Sequence, residues 1–194
     1  MNVDYHLTEQ AFINLGLRNF EQIYTQSKQS GLFDSFETGE ITATDFIAEI
    51  QAKFDKTPSA QQITDAWNAM LLDFPPERLR LLESLKERVD VYLFSNTNEL
   101  HFNAFNELFA GWYNKDFSGY FNRAYYSHLL GMRKPNAGAF NYIVETHGLI
   151  PERTLFIDDT LHHVEGAASI GLNTIHLKKG EEVGEVLRAA KILA

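Results

Sequence analysis

The hydrophobic pattern of the chain changes character near residue 87. From residue 8 to residue 86, apolar residues recur at the three- and four-residue spacing of amphipathic helices. After residue 87, short apolar runs alternate with helical stretches. Strands that alternate with helices form parallel sheets covered on both faces. The pattern therefore predicts an α/β fold in which a helical segment precedes the sheet.

Local signals in the first part mark where helices begin. Capping boxes start at Thr42 and at Ser59, and each is followed by apolar residues at helical spacing. Pro75-Pro76 opens a further helix, since proline fits the first helical turn. We therefore predict that residues 8–86 form a helical cap and that residues 87–194 form the α/β core.

The second part contains four apolar runs of strand length, at Val89 to Phe94, Ala124 to Ser127, Thr154 to Ile157 and Asn173 to Leu177. Helices are predicted between them, near 99–110, from Pro135 to Gly148, and near 161–170. This arrangement predicts a Rossmann-like parallel sheet. In open sheets of this kind, ligands bind at the carboxyl ends of the strands, so the residues after each run are candidates for a site.

Composition excludes several classes of function. The formal net charge of −9 repels phosphate backbones, which argues against a nucleic-acid partner. The absence of cysteine excludes disulfides and thiolate chemistry. No apolar run approaches the roughly 18–20 residues that span a bilayer, and the first residues do not resemble a signal peptide. These observations favour a cytoplasmic protein with no membrane partner.

Polar residues follow three of the predicted strands. Ser95-Asn96-Thr97-Asn98 follows the first run, Lys134 precedes Pro135 after the second, and Asp158-Asp159 ends the third. Each has an ordinary structural explanation when taken alone, as a turn, a surface lysine or a helix cap. Since the carboxyl ends of parallel strands share one edge of a sheet, we expect the side chains of Ser95, Lys134 and Asp158 to converge on one crevice.

Phosphoryl transfer to a carboxylate needs this combination of side chains. Asp158 and Asp159 offer the oxygen ligands that Mg²⁺ prefers, and Lys134 can neutralise charge on the transferring group. The Ser95 hydroxyl and neighbouring backbone N–H groups can hold phosphoryl oxygens at a helix start. The remaining requirement is a nucleophile, such as an aspartate that forms an aspartyl-phosphate.

The ordered set of Ser95, Lys134 and Asp158-Asp159 resembles the second, third and fourth motifs of the haloacid dehalogenase-like hydrolase superfamily. Three segments also resemble the subfamily that includes bacterial α-D-glucose-1-phosphate phosphatase: Phe94 to His101, Leu130 to Pro135 and Glu37 to Thr42. The resemblance implies a Mg²⁺-dependent phosphomonoesterase, monomeric or homodimeric, that acts on a small phosphorylated metabolite, with a sugar phosphate favoured.

The resemblance also implies residue roles. Ser95 and Asn96 would bind the phosphoryl group, and Lys134 would tie nucleophile and phosphate together. At least one of Asp158 and Asp159 would ligate Mg²⁺ directly. The catalytic residues within the chain would be Lys134 and Ser95.

The chain departs from the family at its first motif, a strand that ends in the nucleophilic aspartate. Residues 1–7 resemble only a remnant that follows this motif, and Asp4 has no apolar strand before it. We therefore expect the nucleophile to lie N-terminal to this sequence, the first core strand to be missing, and the 194-residue chain to be inactive. A shortened sequence is the favoured explanation and a degenerate protein is the alternative.

Two other functions stay open on the same scaffold. A 2-haloacid dehalogenase would need no metal, so the Asp158-Asp159 pair favours the phosphatase. A non-catalytic pseudo-phosphatase fits as long as the nucleophile is missing. His162 and His163 are predicted to face solvent, while His101 and His128 carry no clear role.

Overall fold

The computed structural model describes residues 1–17, 19–29 and 31–193. Arg18, Ser30 and Ala194, which fall within the predicted cap and core, lie outside the described residues. The chain divides into two compact units, Met1–Gly131 and Met132–Ala194. The predicted α/β class is confirmed, since parallel strand pairs alternate with helices.

Helices make up the first part of the first unit: α1 Tyr5–Asn14, α2 Phe20–Gln29, α3 Leu32–Glu37, α4 Ala43–Gln51, α5 Ala60–Asn68 and α6 Pro76–Lys86. Both predicted capping boxes are present, with Thr42 before α4 and Ser59 before α5. Among the described residues of 8–86 there is no strand, and only Leu71 forms an isolated bridge, with Val3. The division of the chain into a cap and a core stays a prediction.

Aromatic side chains form the core of these helices. Phe12, Phe36 and Phe46 are at most 1% exposed, and the rings of Phe36 and Phe46 stack with centroids 4.2 Å apart. Trp67 packs against Phe46 at 4.7 Å. Burial of such large rings is the main favourable contribution to packing these short helices together.

The rest of the first unit contains strands β1 Tyr92–Ser95 and β2 Arg123–Tyr126 and helices α7 Glu99–Tyr113 and α8 Ser127–Leu130. The two strands pair in parallel, with Tyr92 opposite Arg123 and Ser95 opposite Tyr126. A 3-10 turn at Phe117–Tyr120 leads into β2. Its aromatic residues pack in the core with Phe74 and Phe109.

The second unit contains helices α9 Ala137–His147, α10 Leu161–Ala168 and α11 Val183–Ala189, with strands β3 Leu155–Asp158 and β4 Asn173–His176. The strands are parallel, with Leu155 opposite Asn173 and Asp158 opposite His176. Helix α9 begins two residues after Pro135, because Asn136 caps it, and it ends at Gly148 as predicted. The structure shows that Gly148 has the left-handed backbone conformation.

The described strands form two separate parallel pairs, β1–β2 and β3–β4, so each strand has one strand neighbour within the described part of the chain. Residues of β1 and β3 are partly exposed, whereas strands inside a covered parallel sheet are normally buried on both faces. Within the same residues, every helix is too short or too polar to span a bilayer.

Candidate functional site

Ser95 is the last residue of β1, at the carboxyl end where the sequence predicted a ligand. Its Oγ lies 3.5 Å from the carbonyl oxygen of Asn96, which is the outer limit of a hydrogen bond. This contact is too long to hold the hydroxyl firmly. Within the described residues, the Ser95 hydroxyl is therefore able to turn towards a ligand oxygen.

Thr97 and Asn98 continue this loop and are 7% and 2% exposed. The backbone N–H of Thr97 donates to Ser127 Oγ at 2.9 Å. The Asn98 side chain caps α7 by accepting from the backbone N–H of His101 at 3.0 Å. The loop is thus anchored by its third and fourth residues, and the Thr97 N–H is not available to a phosphoryl oxygen.

His101 lies in a partly buried polar network on the first turn of α7. Its ring stacks on Trp67 with centroids 5.3 Å apart, and its Nε2 is 3.1 Å from the Trp67 carbonyl oxygen. Its Nδ1 is 3.1 Å from Asn98 Nδ2. A carbonyl only accepts and an amide nitrogen only donates, so the proton is on Nε2 and the ring is neutral. Burial lowers the pKa of His101 to about 4, against the opposing effect of the Trp67 carbonyl.

His128 has a different environment in the same unit. Its ring packs against Phe102 with centroids 5.1 Å apart, and burial lowers its pKa although Glu99 opposes the shift. The carbonyl oxygen of His128 would lie 2.3 Å from a Cβ added at Gly39, whose φ is 72°. Glycine at position 39 therefore allows the turn before α4 to approach α8 closely.

Lys134 and Asp158 form a buried ion pair in the second unit. Lys134 Nζ donates to Asp158 Oδ2 at 2.7 Å, and their side chains are 9% and 8% exposed. Burial tends to raise the pKa of Asp158, but hydrogen bonds from His163, Lys134 and the Thr160 N–H outweigh it and leave the pKa well below its usual value. Asp158 is therefore a carboxylate at neutral pH.

His163 was missed by sequence reasoning. Its Nδ1 is 3.0 Å from Asp158 Oδ1 and its side chain is only 17% exposed, so the prediction that it faces solvent is wrong. The prediction is confirmed for His162, whose side chain is 76% exposed. The two differ because neighbouring residues on α10 point in different directions.

Asp159 has an exposed side chain, and its carboxylate lies 3.5 Å from Thr160 Oγ1. Its backbone carbonyl accepts from His176 Nε2 at 3.1 Å. The described residues contain no cluster of three or more acidic or histidine side chains arranged around a metal. Two carboxylates nevertheless fit Mg²⁺, which commonly uses one or two carboxylates and retains several waters.

The structure thus brings Lys134 and Asp158 together and locates Asp159 beside them in sequence at the end of β3. Ser95 and Asn96 lie in the loop at the end of β1. Their convergence with Lys134 and Asp158 on one crevice stays a prediction, as do their roles. Asp4 caps α1 by accepting from the His6 N–H at 3.0 Å, which gives it a structural task.

Comparison with known proteins supports a common origin for this arrangement. The chain is 26% identical over 182 residues to the D-ribitol-5-phosphate phosphatase of Bacteroides thetaiotaomicron, covering 94% of this chain and 88% of that protein. Its structure matches a HAD family enzyme of the same organism, crystallised with magnesium, at a TM-score of 0.88 and 33% identity over 96% of this chain and 92% of that one.

Two further structures agree. An aspartate-to-alanine mutant of that HAD family enzyme, in complex with magnesium and inorganic phosphate, matches with a TM-score of 0.89 and 32% identity, covering 96% of this chain and 93% of that one. A predicted HAD-like family hydrolase from Porphyromonas gingivalis matches with a TM-score of 0.86 and 26% identity over 98% of this chain and 92% of that one.

The sequence profile of the haloacid dehalogenase-like hydrolases matches residues 63–171, which is more than half of the chain. This range contains Ser95, Lys134 and the Asp158-Asp159 pair on which the resemblance was based. The superfamily prediction is therefore confirmed, while the finer resemblance to α-D-glucose-1-phosphate phosphatase stays a prediction. The chain belongs to the haloacid dehalogenase-like hydrolase family.

Proposed function

We propose that the protein is a Mg²⁺-dependent phosphomonoesterase that acts on a small phosphorylated metabolite, with a sugar phosphate as the favoured substrate. The buried pair of Lys134 and Asp158 carries the proposal, because a cation and a carboxylate held at 2.7 Å at a strand end suit a phosphate and metal site. The similarity to a D-ribitol-5-phosphate phosphatase and to an enzyme crystallised with magnesium and inorganic phosphate supports it.

Each predicted site residue has a role in this proposal. Ser95 Oγ and Asn96 bind phosphoryl oxygens, and Lys134 offsets the charge that develops on the transferring group. Asp158 and Asp159 hold the metal, which neutralises phosphoryl charge when it is bound. His163 holds Asp158 Oδ1 from the side opposite Lys134, and so keeps the carboxylate ionised and oriented.

The proposed reaction has two displacement steps. An aspartate carboxylate oxygen forms a bond to phosphorus while the ester P–O bond breaks, and the alcohol leaves with a proton. Water then attacks the acyl phosphate, which releases inorganic phosphate and restores the carboxylate. Ser95, Lys134 and the metal-binding acids cannot replace the attacking carboxylate in this scheme.

We further propose that the attacking aspartate lies outside these 194 residues, on a strand that precedes them. Two observations support this. No segment of the sequence matches the first motif of the family, and Asp4 is engaged as the cap of α1.

The test compares the 194-residue chain with a form extended at its N-terminus to include an apolar strand that ends in aspartate. Both are assayed on a panel of sugar phosphates and nucleotides, with Mg²⁺ and with chelator. We expect turnover only for the extended form with Mg²⁺, because loss of a nucleophile removes several orders of magnitude in rate. A 2-haloacid assay without metal tests the dehalogenase alternative.

Three results would contradict parts of this proposal. Robust turnover by the 194-residue chain that Asp4→Asn abolishes would make Asp4 the nucleophile. An extended form that stays inert on the whole panel would favour a pseudo-phosphatase. Metal-independent release of halide would favour the dehalogenase.

Cellular location and assembly form the last part of the proposal. We propose a cytoplasmic protein that works as a monomer or homodimer without a nucleic-acid partner. The absence of cysteine and the net charge of −9 support this assignment. Sedimentation of the purified protein measures its assembly, and electrophoresis with DNA and RNA tests the exclusion of nucleic acid.

A further inference from the structure

One buried hydroxyl satisfies both backbone polar groups of a residue in the predicted phosphate-binding loop. Ser127 begins α8 directly after β2 and is 0% exposed. Its Oγ accepts from the Thr97 N–H and donates to the Thr97 carbonyl oxygen, each at 2.9 Å. A serine hydroxyl has one donor and two acceptor sites, so these two bonds use its single donor and one of its acceptor sites.

The geometry of the strand pair explains why Ser127 reaches this loop. Ser95 lies opposite Tyr126 in the parallel register, so the residue after Tyr126 lies beside the chain that leaves β1. Thr97 is 7% exposed and belongs to neither a strand nor a helix, so its backbone groups need partners from elsewhere. Ser127 supplies both partners from a segment thirty residues away in sequence.

We propose that Ser127 is a positioning residue, which holds the loop so that Ser95 and Asn96 face the phosphoryl group. The proposal rests on the proposed function, because it assumes that this loop binds phosphate. With Thr97 fixed by Ser127 and Asn98 fixed as the cap of α7, both residues that follow Asn96 are held in place. A loop that is ordered before it binds loses little conformational entropy on binding.

The test measures phosphate binding and loop protection in matched variants. Ser127→Ala removes the hydroxyl, and Ser127→Thr retains it. Ser118→Ala is the control, since Ser118 Oγ is 3.2 Å from Tyr126 OH in the same region but does not contact the loop. Inorganic phosphate is titrated in the presence of Mg²⁺, and hydrogen exchange is measured at the Thr97 amide.

We expect Ser127→Ala to raise the Kd for inorganic phosphate about tenfold, which corresponds to the loss of one or two buried hydrogen bonds. Exchange of the Thr97 amide should accelerate in the same variant. Ser127→Thr should restore both properties, and Ser118→Ala should change neither. If Ser127→Ala does not fold, Ser127→Cys takes its place, because a thiol is similar in size to a hydroxyl but forms only weak hydrogen bonds. We expect Ser127→Cys to raise the phosphate Kd and to accelerate exchange of the Thr97 amide.

The results separate this proposal from the one on which it rests. If the parent protein binds phosphate and Ser127→Ala keeps its Kd within about twofold despite faster Thr97 exchange, Ser127 is only structural and the proposal is overturned. If the parent protein does not bind phosphate, the proposed function fails and the positioning role fails with it. In that case the Thr97 exchange data would still report the two hydrogen bonds.

Discussion

Acidification is expected to destabilise the protein through His101. The ring is neutral in the folded state, with its proton on Nε2 facing the Trp67 carbonyl and its Nδ1 facing the Asn98 amide. A second proton would have to enter on Nδ1, directly against the Asn98 N–H donor, in a site where burial already lowers the pKa to about 4. An unfolded histidine has a pKa of about 6.5.

The direction of the effect follows from proton binding in the two states. Between pH 6.5 and about pH 4, His101 binds a proton in the unfolded chain but not in the folded one. Stability from this group is therefore fully present above pH 6.5 and is lost as the pH falls through that window. Between pH 7 and pH 5 the free energy of unfolding should fall by about 1–2 kcal/mol through this group, allowing for the partial exposure of the ring.

Urea unfolding at pH 7 and pH 5 measures this loss. His101→Gln removes the titration while keeping an amide near the Trp67 carbonyl, and we expect its stability to fall less between the two pH values than that of the parent. His6→Gln is the control, because the His6 side chain is 90% exposed. Equal pH dependence in the parent and in His101→Gln would refute the argument.

Two further predictions concern the buried ion pair and a crowded glycine of the second unit. Lys134→Met should lower the free energy of unfolding by about 3 kcal/mol in a urea titration, because it leaves the 8%-exposed Asp158 carboxylate without its cation. The double variant Lys134→Met with Asp158→Leu should recover most of the lost free energy of unfolding, because it leaves no unpaired carboxylate. If the double variant is as unstable as Lys134→Met alone, the loss comes from side-chain packing and not from the unpaired charge. Gly166→Ala should lower Tm by several degrees, because the added Cβ would lie 2.5 Å from the Pro135 carbonyl oxygen. Gly111→Ala in α7 is the control. Its added Cβ meets no atom within 4 Å, so this variant should be neutral or stabilising.

Short sequence motifs at helix ends predicted the helix boundaries well. The capping boxes at Thr42 and Ser59 and the glycine stop at Gly148 lie where the structure has them, because these motifs satisfy backbone groups within one turn of the chain. The predicted and observed strand ends differ by at most three residues, and the start of β4 at Asn173 agrees. The run predicted to start at Val89 begins as a strand at Tyr92, since apolar residues alone do not determine where pairing starts.

Residues of the candidate site that follow a strand in sequence could be predicted, whereas residues that reach the site through tertiary contacts could not. The proximity of Lys134 and Asp158 was expected because each follows an apolar run of strand length, and the structure shows their contact, while their roles stay a prediction. Ser127 and His163 were not, because Ser127 reaches the loop after β1 from the start of α8, and His163 reaches Asp158 from the first turn of α10. A single sequence gives the spacing of such residues but not the direction of their side chains.

The two buried ionisable environments differ in a way that bears on function. His101 is neutral and its two ring nitrogens both have partners, so its burial is consistent with stability alone. Lys134 and Asp158 form an ion pair that is almost fully buried, and replacing such a pair by well-packed apolar residues is often neutral or stabilising in proteins. A gain in stability is therefore a weak explanation for a buried ion pair at these positions. A fixed cation beside an ionised carboxylate suits the phosphate and metal site that we propose at this strand end, so the burial of these charges supports that proposal.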